Sequence, residues 1–433
     1  MIGIGAIFAA FLVMLTLMFL SIPVAVAILA VGAFGGYLVY GMPLVQTMGG
    51  VVWSALNHPA MTAIPLFMLM GELLLRGGIA DRMFAALAAW LGRLPGGLLH
   101  TNIGTCALFA ATSGSSVATA ASVGTVALPA LCERNYPIRP ALGTLAAGGT
   151  LGILIPPSVN LLVYGALANV SVGQLFIAGI VPGIALTLLF SLYIGIAYPK
   201  AGRQKAASRI PANEKRRLLL HLVPPAVIFG IVMGSIYGGF ATPTESAALG
   251  VLAALFFVWL NGRLNWTLLE NCFIQSARTT GMVFLVIVCA LLLNVTLSMT
   301  GGTQAVTRWV TSLGLSQTAF LLLLVAFYVV LGMFMDAMSM LVLTVPVAVP
   351  MVNVLQVDPV WFGIFVVVMC EIGLVTPPVG MNLFVVQGVR KGGPFNDVIR
   401  GALPFVVIMI AFTGLLILIP EIATALPHLA LQQ

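Results

Sequence analysis

Charge is what this sequence has least of. Asp, Glu, Lys and Arg make up only 7% of its 433 residues, against 61% hydrophobic, and the mean hydropathy is +1.15. A soluble domain carries about 25% charged residues. So little polar surface excludes a soluble fold, and lipid must be the solvent for most of the molecule. Cysteine is also scarce. Cys106, Cys132, Cys272, Cys289 and Cys370 show no C-x-x-C spacing and read as small buried residues, not a redox or metal centre. The four histidines, His58, His100, His221 and His428, are scattered without metal-ligand spacing and read as interfacial polar groups. No basic region or cleavage site accompanies the first apolar run from Met1, which reads as a membrane helix and not a signal peptide.

What is present is a series of apolar segments long enough to span a bilayer, at about 3–21, 22–40, 59–76, 138–170, 173–198, 219–238, 245–262, 280–298, 358–389 and 402–420. Two further regions, about 101–131 and 317–353, each divide into shorter apolar pieces around a polar or small centre. Those centres are Thr112-Ser113-Gly114-Ser115-Ser116 and Met335-Asp336-Ala337-Met338-Ser339. They read as re-entrant hairpins. With the N-terminus outside, this topology places every Lys and Arg except Arg308 on the inner side. By the positive-inside rule both termini are then periplasmic. The net charge of +7 follows from that placement and needs no nucleic-acid partner.

The basic stretch 199–218 reads as a solvated cytoplasmic connector between two halves, 1–198 and 219–433. A shift of 221 residues lays Pro129 on Pro350, Pro156 on Pro377, Pro157 on Pro378 and Ser115 on Asp336. One inserted residue later, Asn160 falls on Asn382 and Pro182 on Pro404. Five spans and one hairpin per half put the second half in the membrane upside down. The expected fold is therefore an all-α membrane protein of two inverted repeats, with the binding site where the repeats meet.

The chemistry sits in Gly152-Ile153-Leu154-Ile155-Pro156-Pro157-Ser158-Val159-Asn160 and Gly373-Leu374-Val375-Thr376-Pro377-Pro378-Val379-Gly380-Met381-Asn382. Each lies mid-way along a long apolar stretch. Proline removes a donor and clashes with the preceding turn, so a pair breaks a helix. The break frees carbonyls on one side and N–H groups on the other, tolerable at membrane depth only where they line a cavity. Free carbonyls suit a hard cation such as Na⁺, and half-helix N-termini suit a carboxylate. Asn160 and Asn382 stand just behind the breaks. Ser113, Ser115 and Ser116 in one hairpin, and Gly332 and Asp336 in the other, are their natural partners. An acid at membrane depth, here Asp336, is a functional hypothesis by default.

The remaining acids read differently. Glu72 precedes Arg76 by one turn and reads as a local pair. Glu245, in Thr242-Pro243-Thr244-Glu245, reads as part of a capped helix start. Glu371, two residues before the second break, either supports that site or faces a cavity at its rim. Catalytic pairs and metal motifs are lacking, which argues against an intramembrane enzyme and against an organic cofactor.

The runs Gly148-Gly149-Thr150-Leu151-Gly152-Ile153-Leu154-Ile155-Pro156-Pro157-Ser158, Gly238-Gly239-Phe240-Ala241-Thr242-Pro243-Thr244-Glu245-Ser246 and Val375-Thr376-Pro377-Pro378-Val379-Gly380-Met381-Asn382 closely resemble the large permease subunit of tripartite ATP-independent periplasmic (TRAP) transporters. The resemblance implies an elevator-type importer in the bacterial inner membrane, driven by Na⁺, for organic acids such as C4-dicarboxylates, sialic acid or other sugar acids. It implies two partners, a soluble periplasmic binding protein and a small four-helix membrane subunit. No four-helix region precedes this sequence, so the small subunit is expected as a separate chain. Position by position, the resemblance implies one Na⁺ site at Ser113, Gly152, Ile155 and Pro157, and another at Gly332, Gly373, Thr376 and Val379. These sites are expected to use mostly carbonyls. Ser113, Ser158 and Asp336 match substrate-contacting positions. A stand-alone carboxylate or anion permease of the same superfamily is the alternative reading.

Overall fold

The computed structural model describes residues 3–20, 22–201 and 211–430, and among them the chain is helical without strands. Arg203, Lys205 and Arg209 of the basic connector lie outside the described residues. In lipid a helix satisfies every backbone group internally, so the apolar runs become helices. Eight are long and apolar enough to cross a membrane: Pro59–Arg76, Ser116–Glu133, Val172–Ala197, Asn213–Tyr237, Pro243–Leu260, Trp266–Met299, Ala337–Val354 and Phe395–Leu418. Shorter apolar helices, among them Ile4–Phe19 and Val24–Tyr40, accompany them. The chain is a multi-pass membrane protein.

The elements that position the site are α4 (Met42–Leu56), α5 (Pro59–Arg76), α7 (Leu98–Ser113), α8 (Ser116–Glu133), α9 (Ile138–Thr150), α10 (Val159–Ala168) and α11 (Val172–Ala197). From the second half come α14 (Pro243–Leu260), α15 (Trp266–Met299), α17 (Gln317–Gly332), α18 (Ala337–Val354), α19 (Pro359–Val375), α20 (Met381–Arg390) and α21 (Phe395–Leu418). The hairpin regions are the helix pairs α7–α8 and α17–α18, with first arms of 16 residues and second arms of 18, the latter longer than the sequence pieces suggested. The stretches 138–170 and 358–389 are each two helices separated by a non-helical break.

Equivalent residues of the two halves occupy equivalent places. Pro129 and Pro350 lie inside α8 and α18, Pro182 and Pro404 inside α11 and α21, and Asn160 and Asn382 at the second position of α10 and α20. Both proline pairs, Pro156–Pro157 and Pro377–Pro378, are joined by cis peptide bonds. The broken helices cross the halves: α9 packs on α21, and α19 on α10 and α11. Gly143 and Gly401 make the first crossing so tight that a methyl group on either would overlap the other helix's backbone. At the second, the Tyr164 hydroxyl donates to the Pro359 carbonyl at 2.6 Å. Asp397 accepts from Arg139 at 2.9 Å and Arg390 at 3.3 Å, tying the starts of α9 and α21 to the end of α20.

Several expectations change. The segment 280–298 is the end of a 34-residue helix, α15, that begins at Trp266. Part of the connector is helical, Ala212–Leu219, and Lys215 sits 4.1 Å over the ring of Trp90, so it is packed as well as solvated. Cys132 is exposed while the other cysteines are buried. His100 is buried and pairs with the Pro95 carbonyl at 2.6 Å. The Glu72–Arg76 pair forms at 2.9 Å. Thr242 and Glu245 form a reciprocal capping box.

Candidate substrate and cation site

The first break begins where α9 tightens into one 3-10 turn at Leu151–Ile153 and resumes at Ser158. Ser158 caps α10, accepting from the Leu161 N–H at 3.3 Å while its hydroxyl donates back across the break to the Ile153 carbonyl. Among the described residues no donor reaches the carbonyls of Gly152, Ile155 or Pro157. The second break has the same plan. The Thr376 hydroxyl donates to the Ile372 carbonyl, the Val379 N–H donates to the Met333 carbonyl at 3.1 Å, and α20 starts from Gly380 with φ +36°. There the carbonyls of Gly332, Thr376 and Val379 are without donors, while Gly373 accepts from the Thr376 N–H at 3.3 Å. The predicted carbonyls of Gly152, Ile155 and Pro157 at one junction and of Gly332, Thr376 and Val379 at the other are thus without donors, as are those of Leu154, Pro156, Pro377 and Pro378 among the described residues, and oxygens of this kind could hold a hard cation such as Na⁺.

The helix-pair turns press directly on these breaks. Gly114 closes α7 with φ +61°, a left-handed conformation that favours glycine. Ser115 then caps α8, accepting from the Ala118 N–H at 3.4 Å. A methyl group on Gly152 would lie 2.6 Å from the Ser115 carbonyl oxygen, and one on Gly114 3.0 Å from that of Pro157. So Ser113, Ser115 and Ser116 are brought beside Gly152, Pro157 and Ser158. In the other half Gly332 and Gly373 meet backbone to backbone. The pair Gly148 and Gly152 thus serves a specific contact: Gly148 packs on Cys106 of the same helix pair.

The predicted polar residues have distinct settings. Ser113 shares a hydrogen bond with Thr119 at 2.9 Å, and Thr119 also donates to the Ser115 carbonyl at 2.7 Å. Asp336 is half-buried and caps α18, accepting from the N–H groups of Met338 at 3.1 Å and Ser339 at 3.2 Å and from the Ser339 hydroxyl. Asn382 reaches across to the other half and donates to the Ala146 carbonyl at 3.2 Å, leaving its own oxygen without a donor. Among the described residues the Asn160 side-chain nitrogen has no acceptor. Ile155 is half-buried beside otherwise buried residues of the first break, whereas Pro378 and Val379 of the second are exposed. Glu371 is fully buried, and among the described residues neither carboxyl oxygen has a partner, so it faces no rim.

Two contributors escaped the sequence. Gly71 of α5 lets that helix approach the first turn: a methyl there would lie 3.0 Å from the Ser113 carbonyl oxygen. Thr119 locks that turn through two bonds. Its signal is a threonine one helical turn after a capping serine, a pattern common in membrane helices.

Residues 11–422 match the family model described as "Tripartite ATP-independent periplasmic transporter, DctM component". The chain is 36% identical over 394 residues to the C4-dicarboxylate TRAP transporter large permease protein DctM of Pseudomonas aeruginosa, covering 90% of this chain and 91% of that one. It is 32% identical over 420 residues to the isethionate TRAP transporter permease protein DctMQ of Oleidesulfovibrio alaskensis, covering 96% of this chain and 64% of that one. These relatives are named as transporter permeases, not as enzymes. In fold the chain is similar to the crystal structure of the Alcanivorax borkumensis YdaH transporter, with a TM-score of 0.64 at 15% identity, covering 88% of this chain and 89% of that one.

Proposed function

Because the chain belongs to the DctM-component family of tripartite ATP-independent periplasmic transporters, we propose that it is the large transmembrane subunit of a Na⁺-coupled importer of a small organic anion. The substrate is a C4-dicarboxylate, sialic acid or another sugar acid, delivered across the periplasm by a soluble binding protein. A separate small four-helix subunit accompanies this chain in the bacterial inner membrane, and both termini of this chain face the periplasm.

One observation supports this reading: each break leaves carbonyl oxygens without donors beside a helix-pair turn. Ser113, Gly152, Ile155 and Pro157 would hold one sodium ion, and Gly332, Gly373, Thr376 and Val379 the other. Bound there, sodium supplies positive charge at membrane depth that offsets the charge of the substrate. Ser113, Ser115, Ser116, Ser158, Asn160 and Asn382 would provide hydroxyls, amides and half-helix N-termini for a carboxylate, and the Asp336 carboxylate would accept from a substrate hydroxyl. No arginine takes part, so recognition falls on neutral donors. The two halves form inverted repeats, and the turns and broken helices move together against α5, α14 and α15 in an elevator motion.

The reading is tested by substrate uptake in proteoliposomes with and without an inward Na⁺ gradient. Uptake that collapses without the gradient supports it, and uptake at the full rate without Na⁺ overturns it.

A further inference from the structure

Several polar side chains, the exposed Ser54 and Asn169 among them, line one cavity away from both breaks. The cavity has a volume of about 480 Å³ and lies between α4, the start of α5, the end of α10 and α15. That volume falls within the usual range of small-molecule sites, about 300–1,000 Å³. Ser54, His58, Asn169 and Asn294 line it, one from each of four chain segments. The side chains of Ser54, Asn169 and Asn294 make no hydrogen bond among the described residues. The Nδ1 of His58 accepts from the Ala60 N–H at 3.3 Å, so the ring proton of a neutral imidazole is on Nε2. The wall thus offers amide, hydroxyl and ring N–H donors. It holds no carboxylate that would attract a cation, and no lysine or arginine.

Helix α10 runs between the first break and this cavity, with Val159 to Gly165 buried along it. Ser158 and Asn160 stand at one end of α10, and Asn169 caps the other. Ten residues of helix separate the break from the cavity by about 15 Å. The α5 end at the cavity is the one opposite Arg76, so the positive-inside rule puts the cavity on the outer face.

We propose that this cavity is an outer vestibule that receives the oxyanion of a small organic acid through the neutral donors Ser54, His58, Asn169 and Asn294 before it reaches the first break. The assignment to the transported anion rests on the transport reading above. The preference for anions does not.

The test uses charged thiol reagents as probes on the full chain. In a Cys132→Ser background, Ser54→Cys reports from the vestibule and Gln46→Cys from the exposed face of α4 outside it. Each is reacted with sulfonatoethyl and with trimethylammonioethyl methanethiosulfonate. The anionic-to-cationic rate ratio is expected to be about tenfold higher at position 54 than at 46, and Asn294→Asp is expected to erase that difference. Equal ratios at the two positions overturn the proposal, and Asn169→Cys serves as reporter if Ser54→Cys does not fold. In uptake assays, Asn294→Asp is expected to raise KM about tenfold with the maximal rate retained, and an unchanged KM overturns the role in import. A protein that transports no anion yet keeps the reagent preference overturns the transport reading alone.

Discussion

Gly332 at the end of α17 and Gly373 near the end of α19 stand face to face: a methyl group on Gly332 would lie 2.6 Å from the Gly373 α-carbon, and one on Gly373 2.8 Å from that of Gly332. Neither helix can retreat without opening the junction beside which the carbonyls of Gly332, Thr376 and Val379 are without donors. Backbone contact at membrane depth is here a means of placing oxygen atoms.

Gly373→Ala is therefore expected to abolish Na⁺-driven uptake and to lower stability by about 1–3 kcal/mol, the usual cost of forcing a methyl group into a packed contact. Uptake and thermal unfolding of the purified variant measure both. Full uptake by this variant would show that the junction tolerates separation.

The sequence made the breaks and turns legible because their causes are local. Two prolines stop a helix wherever they stand, and Ser115 or Asp336 before an apolar run caps the next one. The pairs Glu72–Arg76 and Thr242–Glu245 were legible for the same reason, since their spacing is that of one helical turn. What stayed hidden is tertiary. Nothing local tells that Gly152 touches Ser115, that Gly71 admits α5 to the first turn, or that Asn382 bonds to Ala146 of the other half. The early part of α15 was hidden for another reason. Glu270 and Arg278 lower its hydropathy, although the residues around them continue the helix.

Asp336 has two separable duties in this account. Its carboxylate caps α18, and one side of it stands at the second turn. Asp336→Ala is expected to abolish uptake, to lose about 0.5–2 kcal/mol of stability through the missing cap, and to leave a folded protein in the membrane. Asp336→Asn keeps a capping oxygen, so it is expected to restore most of the stability without restoring uptake. Normal uptake by Asp336→Ala would reduce this residue to a cap.

Glu371 is fully buried, with both carboxyl oxygens unpartnered among the described residues. Burying a polar group without a partner costs about 1–3 kcal/mol. Glu371→Leu is expected to recover that amount and raise the melting temperature of the purified protein. A fall in melting temperature would mean that the carboxyl group has a stabilising partner.

Equilibrium binding of radioactive sodium to the purified chain tests the central claim most directly, since it needs neither the companion subunits nor knowledge of the substrate. Two junctions with uncommitted carbonyls predict two sodium ions bound per chain, with one lost in Gly373→Ala. A chain that binds no sodium, at any concentration that drives uptake, would contradict the account.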